Sequence, residues 1–191
     1  MRFWPQKKWK QIVVVAVLSF FVIVTGLVGF IFFKISSDYT SDLEVMNANG
    51  PQTALIIYHP GLSSFMQDTT YAFANGLTEN DWRVEITTAS AQAPTDLTEY
   101  SLLVLGSPVY AGNASVTIQR HVGRIGDLNG IDTVLLVTSG GSDGGAEATM
   151  QQIVEEHGGS VVEVVSLFTS APDDGDPLEL AKEAGRDFVI E

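Results

Sequence analysis

The sequence predicts a three-layer α/β domain, with a five-stranded parallel sheet in the order 2-1-3-4-5, preceded by one transmembrane helix. Three observations predict it. From residue 53 onward, apolar strand patterns alternate with helical ones, which implies parallel strands covered on both faces. The first, third and fourth strand patterns each run into a loop of small residues. Ahead of all of them lies a run of 22 residues without a charge, 12–33.

That run reads IVVVAVLSFFVIVTGLVGFIFF. As a helix it spans about 33 Å at about 1.5 Å per residue, enough to cross a hydrocarbon core. It is apolar on every face, which a core helix of a soluble domain is not. It ends in Phe-Ile-Phe-Phe-Lys, a poor cleavage site, and the chain has no cysteine for lipid attachment. It therefore reads as an uncleaved anchor. Arg2, Lys7, Lys8 and Lys10 precede it, and Asp38, Asp42 and Glu44 follow. Positive charge stays in the cytoplasm, so the expected topology is single-pass in the cell membrane. Residues 1–11 form a cytoplasmic tail, 12–33 the transmembrane helix and 34–52 a linker. Residues 53–191 form an extracytoplasmic domain. Trp4 and Trp9 suit the cytoplasmic interface.

All 23 acidic residues follow Lys34, against five basic ones, so this part of the chain carries a net charge of −18. Such a surface argues against nucleic acid and anionic lipid as partners and fits a module that meets a basic partner or simply stays dispersed. Without cysteine there are no disulfides, thiol chemistry or cysteine-held clusters.

Each element follows from its pattern. Residues 36–52 are rich in Ser, Asp and Asn and end in Asn49-Gly50-Pro51, a linker composition. Residues 53–58 (TALIIY) are a strand. Residues 64–77 are a helix in which Phe65, Ala72, Phe73 and Leu77 share a face. Residues 82–88 (WRVEITT) alternate, as a half-exposed edge strand does. A short helix fits within 89–99. Residues 102–105 (LLVL) are a buried strand, followed by a helix over 115–125 with Ser115 as a candidate cap. Residues 131–137 are the fourth strand and 145–156 the next helix. Residues 161–168 are the fifth strand, and 177–190 a closing helix with Pro177 at its start. Five strands in about 140 residues suit the order 2-1-3-4-5.

In such a sheet ligands bind where the first, third and fourth strands end. The loops there are 59–66 (HPGLSSFM), 106–113 (GSPVYAGN) and 138–144 (TSGGSDG). None carries Lys or Arg, so a bound phosphate must be held by backbone N–H groups, hydroxyls and a helix N-terminus. His59 stands at a strand end and is read as a solvated loop residue, with ligand contact as the alternative.

Residues 103–112 resemble the strand-into-loop motif G-[ST]-P-x-[YW]-x-G of the flavodoxin family, and the resemblance extends over 53–191. It implies the flavodoxin-like three-layer fold and an FMN cofactor. It places Tyr110 on the flavin ring, with Ser107, Pro108, Val109, Ala111 and Gly112 beside it. Thr138, Ser139, Gly140 and Gly141 match the third loop, which also lines the ring. The first loop, typically [ST]-x-T-G-x-T around the phosphate, is here Gly61-Leu62-Ser63-Ser64-Phe65-Met66. Ser63 and Ser64 keep hydroxyls there, while Phe65 and Met66 replace polar positions.

Other chemistry fits less well. Gly140-Gly141-Ser142-Asp143-Gly144 matches G-x-S-x-G, but Ser142 stands several residues past its strand. The acids Asp173, Asp174 and Asp176 follow His157 rather than precede it, the wrong order for an α/β-hydrolase. His59, His121 and His157 are scattered, so no metal site is expected. Asp173-Asp174-Gly175-Asp176 lacks the spacing and terminal Glu of a calcium loop. Asn113-Ala114-Ser115 is a glycosylation sequon, read as incidental. The leading expectation is a membrane-tethered, FMN-binding electron carrier whose partner is a redox protein or a quinone. A flavin-dependent NAD(P)H or quinone reductase and a flavin-free extracytoplasmic interaction module are the alternatives.

Overall fold

The computed structural model describes residues 7–142, 144–170 and 175–190. The chain divides into two units, Met1–Ser37 and Asp38–Glu191. The described part of the first is one helix, α1 (Lys8–Ser36), with no buried residue. By length and composition it can cross a membrane.

The second unit is a mixed, mostly parallel sheet between two helical layers. Its elements are β1 (Glu44–Met46), β2 (Thr53–Tyr58), α2 (Phe65–Glu79), β3 (Arg83–Thr88), β4 (Leu102–Tyr110) and β5 (Asn113–Ala114). Then come α3 (Val116–Ile125), β6 (Asp132–Ser139), α4 (Ala146–Glu156), β7 (Ser160–Phe168) and α5 (Pro177–Asp187). The sheet order is β1-β3-β2-β4-β6-β7, with β5 paired to β4. Counted over the five long parallel strands alone, that is 2-1-3-4-5. All of those pairings are parallel; β1 and β5 add antiparallel ones.

Three local readings need correction. Part of the stretch read as linker belongs to the domain. β1 pairs with β3, Glu44 opposite Ile86 and Met46 opposite Val84, so β3 is not the sheet edge. Ahead of β1, Ser41 and Thr88 exchange hydrogen bonds. The Ser41 N–H donates to Thr88 Oγ1 and the Thr88 N–H donates to Ser41 Oγ, each at 3.0 Å. This strap has no apolar periodicity to betray it: Leu43 and Val45 are exposed, and its hold is hydrogen bonding to an edge that otherwise offers open donors and acceptors. The second correction concerns 89–99, which contain no helix. Pro94 lacks an N–H, and Asp96 Oδ1 accepts from both the backbone and the hydroxyl of Thr98, a turn that competes with helix. The third concerns β4. It does not stop at Leu105 but runs on through Gly106-Ser107-Pro108, in register with β6 as far as Pro108 opposite Thr138.

The two faces of β2 show how the core divides. Ala54, Ile56 and Tyr58 point into the layer of α2 and α5, Leu55 and Ile57 into that of α3 and α4. The first layer closes tightly. A methyl added at Gly76 would collide with the Lys182 carbonyl, and one at Gly185 with the Phe73 carbonyl, so α2 and α5 touch backbone to backbone. Asp176 caps α5, its side chain accepting from the Leu178 N–H, with Pro177 in the first turn.

Candidate functional site

The carboxyl ends of β2, β4 and β6 bring the three small-residue loops together, as the crossover pattern requires. Between them lies an open cleft of about 210 Å³. From the first loop it is lined by Pro60, Gly61, Leu62, Ser63, Phe65 and Met66. Pro108, Val109 and Tyr110 come from β4; Thr138, Ser139 and Gly140 from β6; and Thr169 from just past β7. Thr169 carried no signal in the sequence. It arrives because its N–H donates to the Ser139 carbonyl at 3.0 Å.

Not every residue singled out in the sequence reaches this cleft. Ser107 is fully buried, and its Oγ accepts from the Ser115 N–H at 2.8 Å. Ala111 and Gly112 form the turn between β4 and β5. Both have positive φ, 50° and 77°, as a two-residue hairpin turn of type I′ requires. Gly112 lies against Gly144, where a side chain on either would intrude on the other's backbone. Gly141 donates its N–H to Ser139 Oγ at 3.3 Å. Ser64 is exposed at the N-cap of α2 and makes no side-chain capping bond.

Tyr110 is half-buried on the cleft wall. Its hydroxyl sits over Gly61, whose φ of 79° and missing Cβ make room for it. The hydroxyl is shielded and has no well-formed hydrogen bond. Burial holds the phenol above its ordinary pKa, against an opposing contribution from the Leu62 backbone. At the other end of the cleft α2 begins. The first N–H groups of a helix lack partners within it and attract anions; here Ser63 and Ser64 are exposed beside them, with Asp68 in the first turn. Met66 is buried, its sulfur accepting from Thr138 Oγ1 at 3.4 Å. It forms the floor and offers no polar group to a ligand.

His59 corrects its reading as a solvated residue. It is fully buried. Its Nδ1 shares a hydrogen bond with Ser115 Oγ at 3.0 Å, and Ser115 caps α3 by accepting from the Thr117 N–H. Its ring lies 6.0 Å from that of Tyr39 on the strap and 6.4 Å from that of Tyr110, centroid to centroid. A histidine next to an apolar strand end gives no sequence sign of burial, because what covers it, Tyr39, is 20 residues away in a segment without pattern.

Larger hollows exist elsewhere. One of about 650 Å³ is lined by Asp132, Glu163 and Phe188, another of about 720 Å³ by Leu97, Tyr100 and Asp127. Asp132, Leu97, Tyr100 and Asp127 all lie at or before the starts of β4 and β6, the edge opposite to the one where such sheets bind ligands. Burial pushes the Glu163 carboxyl up. Among the described residues no group of three His, Cys, Asp or Glu side chains can hold a metal. Asp143 of the G-x-S-x-G match, and Asp173 and Asp174 of the acidic turn, lie outside the described residues, as do Arg2 and Trp4 of the N-terminal tail.

No protein-family model matches the chain, and no curated protein matches it by sequence. Solved structures match it by fold. A flavodoxin from the domain Archaea is 20% identical, with a TM-score of 0.56 over 71% of this chain and 95% of that one. The two-electron reduced flavodoxin of Megasphaera elsdenii is 16% identical, with a TM-score of 0.58 over 70% and 98%. An NAD(P)H:quinone oxidoreductase from Methanothermobacter marburgensis is 15% identical, with a TM-score of 0.51 over 73% and 98%. With the parallel strands in the order 2-1-3-4-5 and a cleft at their carboxyl ends, the chain has the flavodoxin-like fold.

Proposed function

We propose that the domain binds FMN in this cleft and carries electrons while α1 tethers it to the cell membrane, N-terminus inside and domain outside. The observation that carries this reading is the meeting of the three loops, with Tyr110 on one wall and the open N-terminus of α2 beside it. The residues fit the group in two parts. Ser63, Ser64 and the first N–H groups of α2 suit a phosphate without a basic side chain. Pro108, Val109, Tyr110, Thr138, Ser139 and Gly140 line the rest of the cleft and would take the ring. At about 210 Å³ the cleft is smaller than the roughly 300–1,000 Å³ of sites that enclose a ligand fully. A ring held here would keep an edge open to solvent, which would suit electron exchange with a partner.

When bound, flavin supplies one- and two-electron redox chemistry. The chain's own residues position it. Tyr110 would lie against it from the β4 wall, Met66 and Phe65 would close the floor, and Thr138 and Ser139 would border it from β6. The net charge of −18 past Lys34 opposes further negative charge on the flavin and steers basic redox proteins to the domain. The tether keeps it near a membrane quinone, the other partner of this reading.

Adding FMN to the purified full-length chain in detergent tests the proposal. Quenching of flavin fluorescence and a shifted visible spectrum at micromolar protein are expected. Absence of both overturns it and supports the flavin-free interaction module, which the apolar Phe65 and Met66 in the phosphate loop favour. Steady-state oxidation of NAD(P)H by the FMN-loaded chain would instead make it a reductase.

A further inference from the structure

The three cleft loops contain His59, Tyr110 and Asp143 as titratable groups and no lysine or arginine. His59 is therefore the side chain in these loops that can carry a positive charge. It stands one aromatic ring behind the cleft wall, since Tyr110, 6.4 Å from it, lines the cleft. Among the described residues, three elements contribute hydrogen-bond or ring contacts to its surroundings. The strap presents Tyr39, β4 presents Tyr110 and Ser107, and α3 presents Ser115. Of the charges on those elements, Asp38 pairs with Arg120 and Arg124, Glu44 accepts from the Tyr71 hydroxyl, and the strap also carries Asp42.

We propose that His59 is the proton-accepting counter-charge to reduced flavin, a positioning residue that acts through Tyr110. It takes up a proton as the ring becomes anionic. The inference rests on the FMN reading above. Desolvation disfavours a buried imidazolium, and a nearby anion offsets that cost. In the cation Nδ1–H donates to Ser115 Oγ, so the hydrogen bond already present persists. With dithionite as reductant the step balances. Dithionite and two waters become two bisulfite ions, releasing two electrons and two protons. The ring takes both electrons and one proton and is left with one negative charge, and the imidazole takes the other proton.

The test uses the full-length chain in detergent micelles, loaded with FMN. Imidazole nitrogen resonances are titrated from about pH 5.5 to 9, oxidised and then dithionite-reduced. The chain has only three histidines, so His121→Asn and His157→Gln variants assign the signals. Reduction is expected to raise the protonation constant of His59 about tenfold and to leave His157 unmoved. Identical His59 curves in the two states overturn the proposal. A second measurement is the flavin midpoint potential of His59→Gln at about pH 6. A tenfold shift in the protonation constant is worth at most about 30 mV for two electrons, so the variant's potential is expected below the wild type's by up to that amount; a potential that tracks the wild type across pH overturns the role. If wild-type protein does not quench FMN at all, the binding reading itself fails. Quenching with unchanged His59 curves fails this inference alone.

Discussion

On one face of the sheet α2 and α5 meet at Gly76 and Gly185, backbone against backbone. On the other, Ser115 at the cap of α3 and His121 within it are buried and polar; Ser115 meets His59 just past β2 and Ser107 on β4, and His121 meets the 89–101 loop. The first arrangement leaves nothing to adjust. Its two glycines fix how close the helices come, and Phe73, Leu77 and Ala181 fill what remains. The second spends hydrogen bonds to place the cleft: Ser115 holds His59, Ser107 holds the Ser115 N–H, and His121 Nε2 lies 3.1 Å from the Pro94 carbonyl. The difference teaches that this fold separates a layer built for close approach from a layer built for positioning.

Four changes break or sharpen that contrast. The largest effect is expected from Gly185→Val, which forces a side chain into the Phe73 carbonyl. It should cost about 3 kcal/mol in urea unfolding, and a loss below about 1 kcal/mol would refute the backbone contact.

On the polar side, burial first, and then the charge of Arg124, hold His121 below the ordinary histidine value of 6.5. The unfolded chain then binds more protons than the folded one in the window below 6.5. Stability is complete above that pH and falls as pH drops toward the folded value, with a slope of at most about 1.4 kcal/mol per pH unit. His121→Asn should flatten this part of a stability-versus-pH curve measured by chemical denaturation; parallel curves would show that His121 does not carry it.

Tyr110→Ala should weaken FMN binding about tenfold, or about 1.4 kcal/mol, through loss of ring contact. Unchanged affinity by fluorescence titration would remove the residue from the site. The smallest effect belongs to Asp38→Asn, which removes exposed ion pairs to Arg120 and Arg124 at 2.9 and 3.5 Å. About 0.5 kcal/mol is expected, shrinking in high salt. A cost of several kcal/mol would mean that the strap is pinned far more firmly than surface charges allow.

How much of this was legible follows the physics of each element. Strand cores such as LLVL and TALIIY are buried on both faces, so their apolar runs show in the sequence. The α5 start was legible because Pro177 and Asp176 act locally. Pro108, Val109, Tyr110, Thr138 and Ser139 line the cleft, and they stood out in the sequence because a strand end and a Gly/Ser loop are local signals. Ser107 was misread as a loop residue because the extension of β4 depends on pairing with β6. β1 was missed because its three residues bury little and are held by the partner strand.

The sequence by itself determined the apolar span, the charge asymmetry and the alternation of strands and helices, from which a mostly parallel sheet follows. All of these rest on composition and on periodicities of a few residues. Only the tertiary structure decided which glycines are contacts, that the strap covers β3, and that His59 lies buried between Tyr39 and Tyr110. Those facts depend on residues tens of positions apart in the chain, and no local pattern encodes a neighbour that arrives from another element.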